Sequence, residues 1–114
     1  MRNKIKVVEK PWGKEEWFAH NDKYVGKIIQ INPGKRLSKQ YHKIKHETVY
    51  VASGSLILEI DNEKKVLNAG ESQVIIPGTV HRFSADKEKV ELFEVSTPEV
   101  DDVVRVEDDY GRSK

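Results

Sequence analysis

Apolar side chains along this chain recur mostly at every second position, and Gly, Pro, Asn and Asp residues interrupt them at short intervals. This alternation is the pattern of β-strands that bury one face, with turns between them. A hairpin is expected to close near Asp61-Asn62. The predicted strands cover residues 24–32, 47–53, 55–60, 64–67, 72–76, 80–85 and 89–98. No segment keeps helical spacing over a useful length, so the pattern predicts an all-β sandwich or small barrel.

The two ends of the chain are more polar than its middle. A chain of 114 residues has the size of one domain. We therefore expect a single domain over 1–114, made of an N-terminal arm (1–23), a barrel core (24–98) and a C-terminal tail (99–114). Apolar residues such as Val103, Val104 and Tyr110 interrupt the acidic tail, so we expect the tail to pack on the barrel.

Composition narrows the classes of partner. The 20 Lys and Arg residues nearly balance the 19 Asp and Glu residues, which gives a formal net charge of +1. This balance offers no electrostatic basis for binding nucleic acid or an anionic membrane. The absence of cysteine excludes disulfides and thiolate metal sites and is compatible with a reducing cytoplasm. No apolar run has the length of a signal-peptide core or a transmembrane helix, so we expect a soluble, cytoplasmic protein with a small-molecule partner.

Four polar side chains occupy positions from which they can converge. Gln40 and His42 lie two residues apart in a strand that begins near residue 35, so both leave the same face. Glu47 opens the next strand, and if the two strands are adjacent it faces the same interior. His81 arrives from a separate strand after a Pro-Gly turn. Two imidazoles, a carboxylate and an amide oxygen form a mixed site for a divalent first-row metal, with room for water or substrate oxygens.

The order and spacing of these residues resemble the two motifs of the cupin superfamily. The motifs run from Gly34 through Gln40, His42 and Glu47 to Gly54, and from Gly70 through Gly78 to His81. The resemblance implies a single-domain cupin jelly roll, also described as a double-stranded β-helix barrel, in which the four polar residues bind a metal. The first choice of metal is zinc, with manganese, iron, cobalt or nickel as alternatives. Gln40 stands where many cupins carry a histidine, which argues against a three-histidine oxygenase site.

Three further segments resemble the isomerase domain of type II mannose-6-phosphate isomerases. They are KPWGKEEWF at 10–18, PGKRLSKQYH at 33–42 and VVRVEDDYGR at 103–112. The resemblance implies that Arg112 binds phosphate or an enediolate oxygen, because a guanidinium is a planar fork suited to oxyanions. The chain departs from the family at Lys45, where an arginine is usual, and at Thr48, where a histidine or similar residue occurs. Many members also carry a nucleotidyltransferase domain.

The function that the resemblance implies is a metal-dependent aldose–ketose isomerase acting on a sugar phosphate or a free sugar. Moving a proton between C1 and C2 needs a base, and the sequence leaves it open among His46, Lys45 and a carboxylate of the tail. Two alternatives stay open. One is a non-catalytic cupin that binds a metal and a sugar, which the changes at Lys45 and Thr48 favour, and the other is a metal-dependent oxygenase. Cupins often pair their sheet edges, so the resemblance also implies a homodimer.

Overall fold

The fold is built from strands and the turns between them in the computed structural model, which describes residue 2 and residues 4–112. Within that part of the chain there is no helix, and hence none that could cross a bilayer. The all-β prediction is confirmed. The strands are β1 (Lys6–Lys10), β2 (Gly13–His20), β3 (Val25–Ile31), β4 (Lys39–Tyr41), β5 (Glu47–Ser53), β6 (Ser55–Ile60), β7 (Glu63–Asn68), β8 (Ser72–Ile75), β9 (His81–Ser84), β10 (Val90–Ser96) and β11 (Val104–Glu107).

The strands form two antiparallel sheets around one apolar core. Sheet A has six strands in the order β1-β2-β3-β10-β5-β8, and sheet B has five in the order β11-β4-β9-β6-β7. The consecutive strands β5 and β6 lie in different sheets, so the chain passes from one sheet to the other at Gly54. The φ of Gly54 is +78°, and a Cβ atom there would lie 2.4 Å from the carbonyl oxygen of Lys89. Glycine is therefore the residue that this crossing requires.

Alternation along the central strands of sheet A directs every second side chain into the core. In β10, Val90 and Leu92 are fully buried, whereas Phe93 is exposed on the outer face. Burying an aliphatic side chain of this kind contributes about 1.5–3 kcal/mol. The same register carries Glu94 inward, and Glu47 at the start of β5 is inward for the same reason. Two carboxylates therefore point into a largely apolar interior.

Sheet B contains the predicted hairpin but differs from the expected strand arrangement in where β4 begins and in which strands lie beside it. The hairpin predicted near Asp61-Asn62 is formed by β6 and β7, and both turn residues have the positive φ of a type I′ turn. The strand expected from residue 35 begins only at Lys39 and covers three residues. It is not adjacent to β5, because β4 lies in sheet B between β11 and β9. Residues of β4 and β5 meet because the two sheets face each other across the core.

The polar ends of the chain supply edge strands to both sheets. β1 and β2 extend sheet A, and Trp12 in the turn between them is only 2% exposed and belongs to the apolar core. At the other end, β11 pairs with β4, so that Arg105 lies opposite Gln40. The N-terminal segment is thus part of a sheet from residue 6 onward. The limits of the domain stay a prediction.

Candidate metal centre

Three of the four predicted ligands meet in the interior between the two sheets. His42 directly follows β4 and His81 begins β9, so both imidazoles come from sheet B, whereas Glu47 comes from β5 of sheet A. All three side chains are buried. The centre is therefore formed only when the two sheets close on each other.

The spacing of these side chains suits a metal ion. Their ligand atoms lie within 4.8 Å of one another. Glu47 Oε1 is 2.8 Å from His42 Nε2 and 3.8 Å from His81 Nε2. A tetrahedral ion with bonds of about 2.1 Å separates its ligand atoms by about 3.4 Å. The observed distances are close to that requirement.

Backbone carbonyls hold both imidazoles with the same nitrogen toward Glu47. His42 Nδ1 donates to the carbonyl of Asp102 at 2.6 Å, and His81 Nδ1 donates to the carbonyl of Thr79 at 2.9 Å. A carbonyl only accepts, so Nδ1 carries the proton, and Nε2 offers a lone pair when the ring is neutral. Burial lowers the pKa of His81 more than the charge of Glu47 raises it, which favours the neutral ring. Metal-binding histidines are commonly held in this way.

When both imidazole rings are neutral, buried lone pairs face one another in this centre. His42 Nε2, His81 Nε2 and Glu47 Oε2 have no hydrogen-bond partner among the residues described. His42 Nε2 and Glu47 Oε1 would both be acceptors at 2.8 Å, so a proton or a cation is needed between them. Two imidazoles and a carboxylate suit zinc and other divalent first-row ions. The residues therefore fit a divalent metal.

Gln40, the fourth predicted ligand, lies beside this cluster. It is the cross-strand partner of His81, and directly paired residues point to the same face of a sheet, so the amide faces the interior. Its Oε1 accepts a hydrogen bond from Ser38 Oγ at 3.1 Å. An amide oxygen at this place can complete a ligand shell or hold a water molecule.

A second carboxylate and an ammonium group lie against Glu47. Lys45 Nζ is 3.0 Å from Glu94 Oε2 and 4.0 Å from Glu47 Oε1. Burial raises the pKa of Glu47, but the contact with His42 and the charge of Lys45 outweigh it and hold that pKa well below its ordinary value. Burial, followed by the charge of Glu47, raises the pKa of Glu94 to about 7. Burial lowers the pKa of Lys45, but the two carboxylates outweigh it, so its pKa is raised and the group is a cation at neutral pH.

His42 and Glu47, with Gln40 beside them, line a cavity of about 350 Å³. A second ion pair forms part of its wall, with Lys27 Nζ 3.3 Å from Glu15 Oε1 and 4.3 Å from the centre of the Trp17 ring. Trp17 Nε1 donates to the same Glu15 oxygen at 2.9 Å. Small-molecule sites have about this volume and place a few polar groups among apolar ones. The cavity is therefore large enough for a small polar ligand such as a sugar.

The structure brings two of the three predicted catalytic residues to this region. Lys45 lines the cavity itself, and Arg112 lines a smaller adjoining recess beside Gln40. The Arg112 guanidinium already donates two hydrogen bonds to the Asp108 carboxylate, at 2.8 and 3.0 Å. His46 is exposed and lines neither space.

Sequence reasoning missed Asp102, which ties the tail to the metal centre. Its carboxylate accepts hydrogen bonds from the backbone N–H groups of Lys43, Ile44 and Lys45, at 3.1, 2.7 and 2.9 Å. These bonds lower the pKa of Asp102, with that from Lys45 contributing most. The same residue holds the His42 ring through its carbonyl. No local signal marks this role, because the two segments are far apart in the chain.

Glu94 and Arg105 were also missed, although Glu94 left a signal in the sequence. In the stretch VELFEVS it takes an inward position after Val90 and Leu92, where alternation calls for an apolar residue. A carboxylate in such a position needs a partner or a function. Arg105 had no comparable signal, because its position depends on the pairing of β11 with β4.

Two facing antiparallel sheets with a histidine and glutamate cluster between them define a cupin. The fold resembles the solved structure of KdgF from Halomonas sp., with a TM-score of 0.76 at 20% identity over 87% of this chain and 89% of that one. It also resembles an RmlC-like cupin from Shewanella frigidimarina, with a TM-score of 0.75 at 20% identity over 84% and 86% of the two chains. At this identity the likeness concerns the fold, and the cupin prediction is confirmed.

Sequence similarity places the chain in a narrower group than the fold does. Residues 2–108 match the family described as Mannose-6-phosphate isomerase C-terminal, and the chain belongs to this family. It is 38% identical over 109 residues to the mannose-1-phosphate guanylyltransferase ManC of Salmonella typhimurium, a match that covers 92% of this chain and 23% of that protein. The chain thus spans less than a quarter of the length of this relative. The predicted resemblance to the isomerase domain of the type II enzymes is confirmed.

Proposed function

We propose that this chain is a metal-dependent aldose–ketose isomerase of a sugar phosphate, with mannose 6-phosphate as the first substrate to test. The observation that carries the proposal is the buried cluster of His42, Glu47 and His81 beside a polar cavity, in a chain of the Mannose-6-phosphate isomerase C-terminal family. A donor set that faces a cavity leaves positions for substrate oxygens, as catalytic metal sites do.

The metal ligands in this proposal are His42, Glu47 and His81, with Gln40 as the fourth. Zinc is the first choice for imidazole and carboxylate ligands, and manganese, iron, cobalt and nickel are alternatives. When bound, the ion supplies positive charge beside the two neighbouring sugar oxygens on which negative charge develops. The protein supplies buried ligands with a fixed orientation through the carbonyls that hold both rings.

Glu94 is the residue that we assign to move the proton. Its carboxyl lines the cavity and is almost completely buried. A pKa of about 7 lets this group take a proton from C2 and return it to C1 near neutral pH. Lys45 stays protonated and holds the Glu94 carboxylate from 3.0 Å. Glu94 takes the place of His46 in this role because the His46 side chain is exposed.

The direct test is an assay of mannose 6-phosphate conversion to fructose 6-phosphate, with metal-loaded and chelator-treated protein. We expect turnover only with metal. Replacing Glu94 by Gln should lower kcat by about 10²–10⁴-fold, the usual contribution of general acid–base catalysis, while metal content stays at the wild-type level. Loss of turnover together with loss of metal would remove Glu94 from this role. Absence of turnover with every divalent metal tested would refute the isomerase proposal.

A non-catalytic cupin that binds a metal and a sugar is the second candidate. The observation that favours it is that the similar proteins are named as guanylyltransferases and not as isomerases. This chain covers only 23% of their length. The activity in those names belongs to a much longer protein. Stabilisation by mannose 6-phosphate in a thermal melt, without any conversion, would support this candidate. Bound iron with oxygen uptake would instead support the third possibility, an oxygenase.

We retain the homodimer as part of the proposal. The outer face of sheet A carries Tyr50 and Phe93 stacked at 6.1 Å between ring centroids, and both rings are partly exposed to solvent. Val95 beside them is 56% exposed. Light scattering after gel filtration should give twice the chain mass for the wild type and the chain mass for Phe93→Asp, whereas a monomeric wild type would refute the dimer. The cytoplasmic location stays a prediction.

A further inference from the structure

The cations around the cavity fall into two groups. Lys27 and Lys45 are neutralised, because each has a carboxylate oxygen at 3.3 or 3.0 Å. Lys10 and Arg105 line the same cavity, yet neither forms an ion pair with any residue in the described ranges, 2 and 4–112. Lys10 and Arg105 are thus the two cations of the cavity wall without an ion-pair partner in these ranges.

Arg105 points toward the metal centre from the edge of sheet B. It pairs with Gln40 across β11 and β4, and Gln40 pairs with His81 across β4 and β9. Residues in direct register share a face, so the three side chains form a row on the inner surface of the sheet. Two strand spacings separate Arg105 from His81, which amounts to about 10 Å between their Cα atoms. A hexose with a phosphate at its far end spans a comparable length.

The Arg105 guanidinium is incompletely satisfied in the structure. Its Nε is buried and has no hydrogen-bond partner within the described part of the chain. Arg105 is only partly buried, but an anion in the cavity would give its buried Nε the hydrogen-bond partner that it lacks. The planar fork of an arginine fits the oxygens of a phosphate through two parallel hydrogen bonds.

Arg105 also lines the adjoining recess, together with Lys10 and Arg112. Lys10 comes from β1 of sheet A, so cations approach the recess from both sheets. The Nε and Nη2 atoms of Arg112 already donate to Asp108, which leaves Arg105 as the guanidinium without a carboxylate partner. A phosphate monoester carries nearly two negative charges at neutral pH, which two unpaired cations match.

We propose that Arg105 and Lys10 form a subsite for the phosphate group of a sugar phosphate whose C1 and C2 end lies at the centre of His42, Glu47 and His81. This inference rests on the proposed function for the identity of the sugar end. The phosphate end rests on the unpaired cations alone. The subsite assigns the main phosphate contact to Arg105 rather than to Arg112, where the family resemblance placed it.

The test is a calorimetric titration of metal-loaded protein with mannose 6-phosphate, mannose and inorganic phosphate. We expect Arg105→Gln to weaken binding of mannose 6-phosphate and of inorganic phosphate at least tenfold, as the loss of a charge-assisted hydrogen bond does. The affinity for mannose should stay within twofold of the wild type. Arg105→Lys should restore part of the loss, because it keeps the charge without the fork.

Lys39→Gln is the matched control. Lys39 precedes Gln40 in β4, so its side chain leaves the opposite face, and the substitution removes one positive charge from the same sheet. We expect all three affinities of this variant to stay within twofold of the wild type. If Lys39→Gln and Arg105→Gln lost the same affinity for the phosphate compounds, the effect would come from net charge alone, and the subsite would be overturned.

A second variant keeps the test decisive if Arg105→Gln does not fold. Lys10→Gln should weaken the binding of mannose 6-phosphate severalfold and leave the affinity for mannose unchanged. Unchanged phosphate affinity in whichever variant folds, or no binding of either phosphate compound to the wild type, would overturn the subsite. Isomerase turnover with wild-type substrate affinity in Arg105→Gln would overturn the subsite alone. A phosphate-selective loss of binding in a chain that does not isomerise would overturn the proposed function alone.

Discussion

The replacement of Glu94 by Gln gives a prediction whose size can be worked out from the structure. Glu94 is 3% exposed, and its nearest charges are the Lys45 ammonium at 3.0 Å and the neighbouring Glu47 carboxylate. Burial and the charge of Glu47 raise the pKa of Glu94 from 4.5 to about 7. The folded state therefore keeps a proton over a range of pH in which the unfolded chain has released it.

The sign of the effect follows from proton binding. Below pH 4.5 both states hold the proton, and Glu94 contributes no pH dependence. Between pH 4.5 and about 7 the folded state binds more protons than the unfolded state, so the free energy of unfolding falls as pH rises. Above pH 7 the free energy of unfolding has fallen by the full amount that the ionisation of buried Glu94 costs. The difference between 4.5 and about 7, at 1.36 kcal/mol per pH unit, corresponds to about 3 kcal/mol.

Glutamine has nearly the same shape and does not titrate in this range, so Glu94→Gln removes this cost. We expect the free energy of unfolding of the variant relative to the wild type to rise by up to about 3 kcal/mol between pH 4 and pH 8. Any cost of the amide itself adds a constant, so the change with pH is the quantity to compare. Urea unfolding followed by tryptophan fluorescence, in a chelator at several pH values, measures it. The chelator is needed because a bound metal would bias Glu47 and its neighbours.

Glu91→Gln on the same strand is the control, because Glu91 is only partly buried and lies outside the cavity. It removes a carboxylate without disturbing the buried charges. The reasoning would be refuted if the Glu94→Gln and wild-type stabilities ran parallel across this range. If Glu94→Gln instead became less stable relative to the wild type as pH rose, the ion pair of ionised Glu94 with Lys45 would stabilise the fold.

Three further predictions concern the metal centre and the crossing between the sheets. Metal affinity should fall as the solution becomes acidic, because metal ligands must be deprotonated to bind. A titration with a fluorescent metal competitor at several pH values measures it, and an affinity independent of pH would contradict the proposed ligands. Asp102→Ala should weaken metal binding about 10–100-fold by freeing the loop after His42, whereas Asp101→Ala should not, and equal affinities in the two variants would contradict the role of Asp102. Gly54→Ala should lower the free energy of unfolding by at least about 1–3 kcal/mol, and by more than Gly70→Ala, whose left-handed backbone has open space around it; similar urea midpoints would contradict this.

Local sequence determined most of the strands, because alternation depends only on neighbours in the chain. β5, β6 and β10 lie within the predicted segments, since their inward and outward positions differ clearly in polarity. β2 was missed because Lys14, Glu15 and Glu16 place charges on both faces, so alternation does not mark it. The spacing of the motifs also named His42, Glu47 and His81 as residues that converge, and their ligand atoms lie within 4.8 Å of one another.

Only the tertiary structure decided which strands lie opposite each other. Alternation shows that Glu94 points inward, but not that Lys45 and Glu47 meet it from β5 and the loop before it. The sequence puts Arg105 in the tail but does not show that it lies in a row with Gln40 and His81. These contacts join residues that are far apart in the chain, and the closing of two sheets around one core sets them. For that reason the chain's own pattern determined the elements and the ligand types, whereas the charges around the metal centre were set by packing.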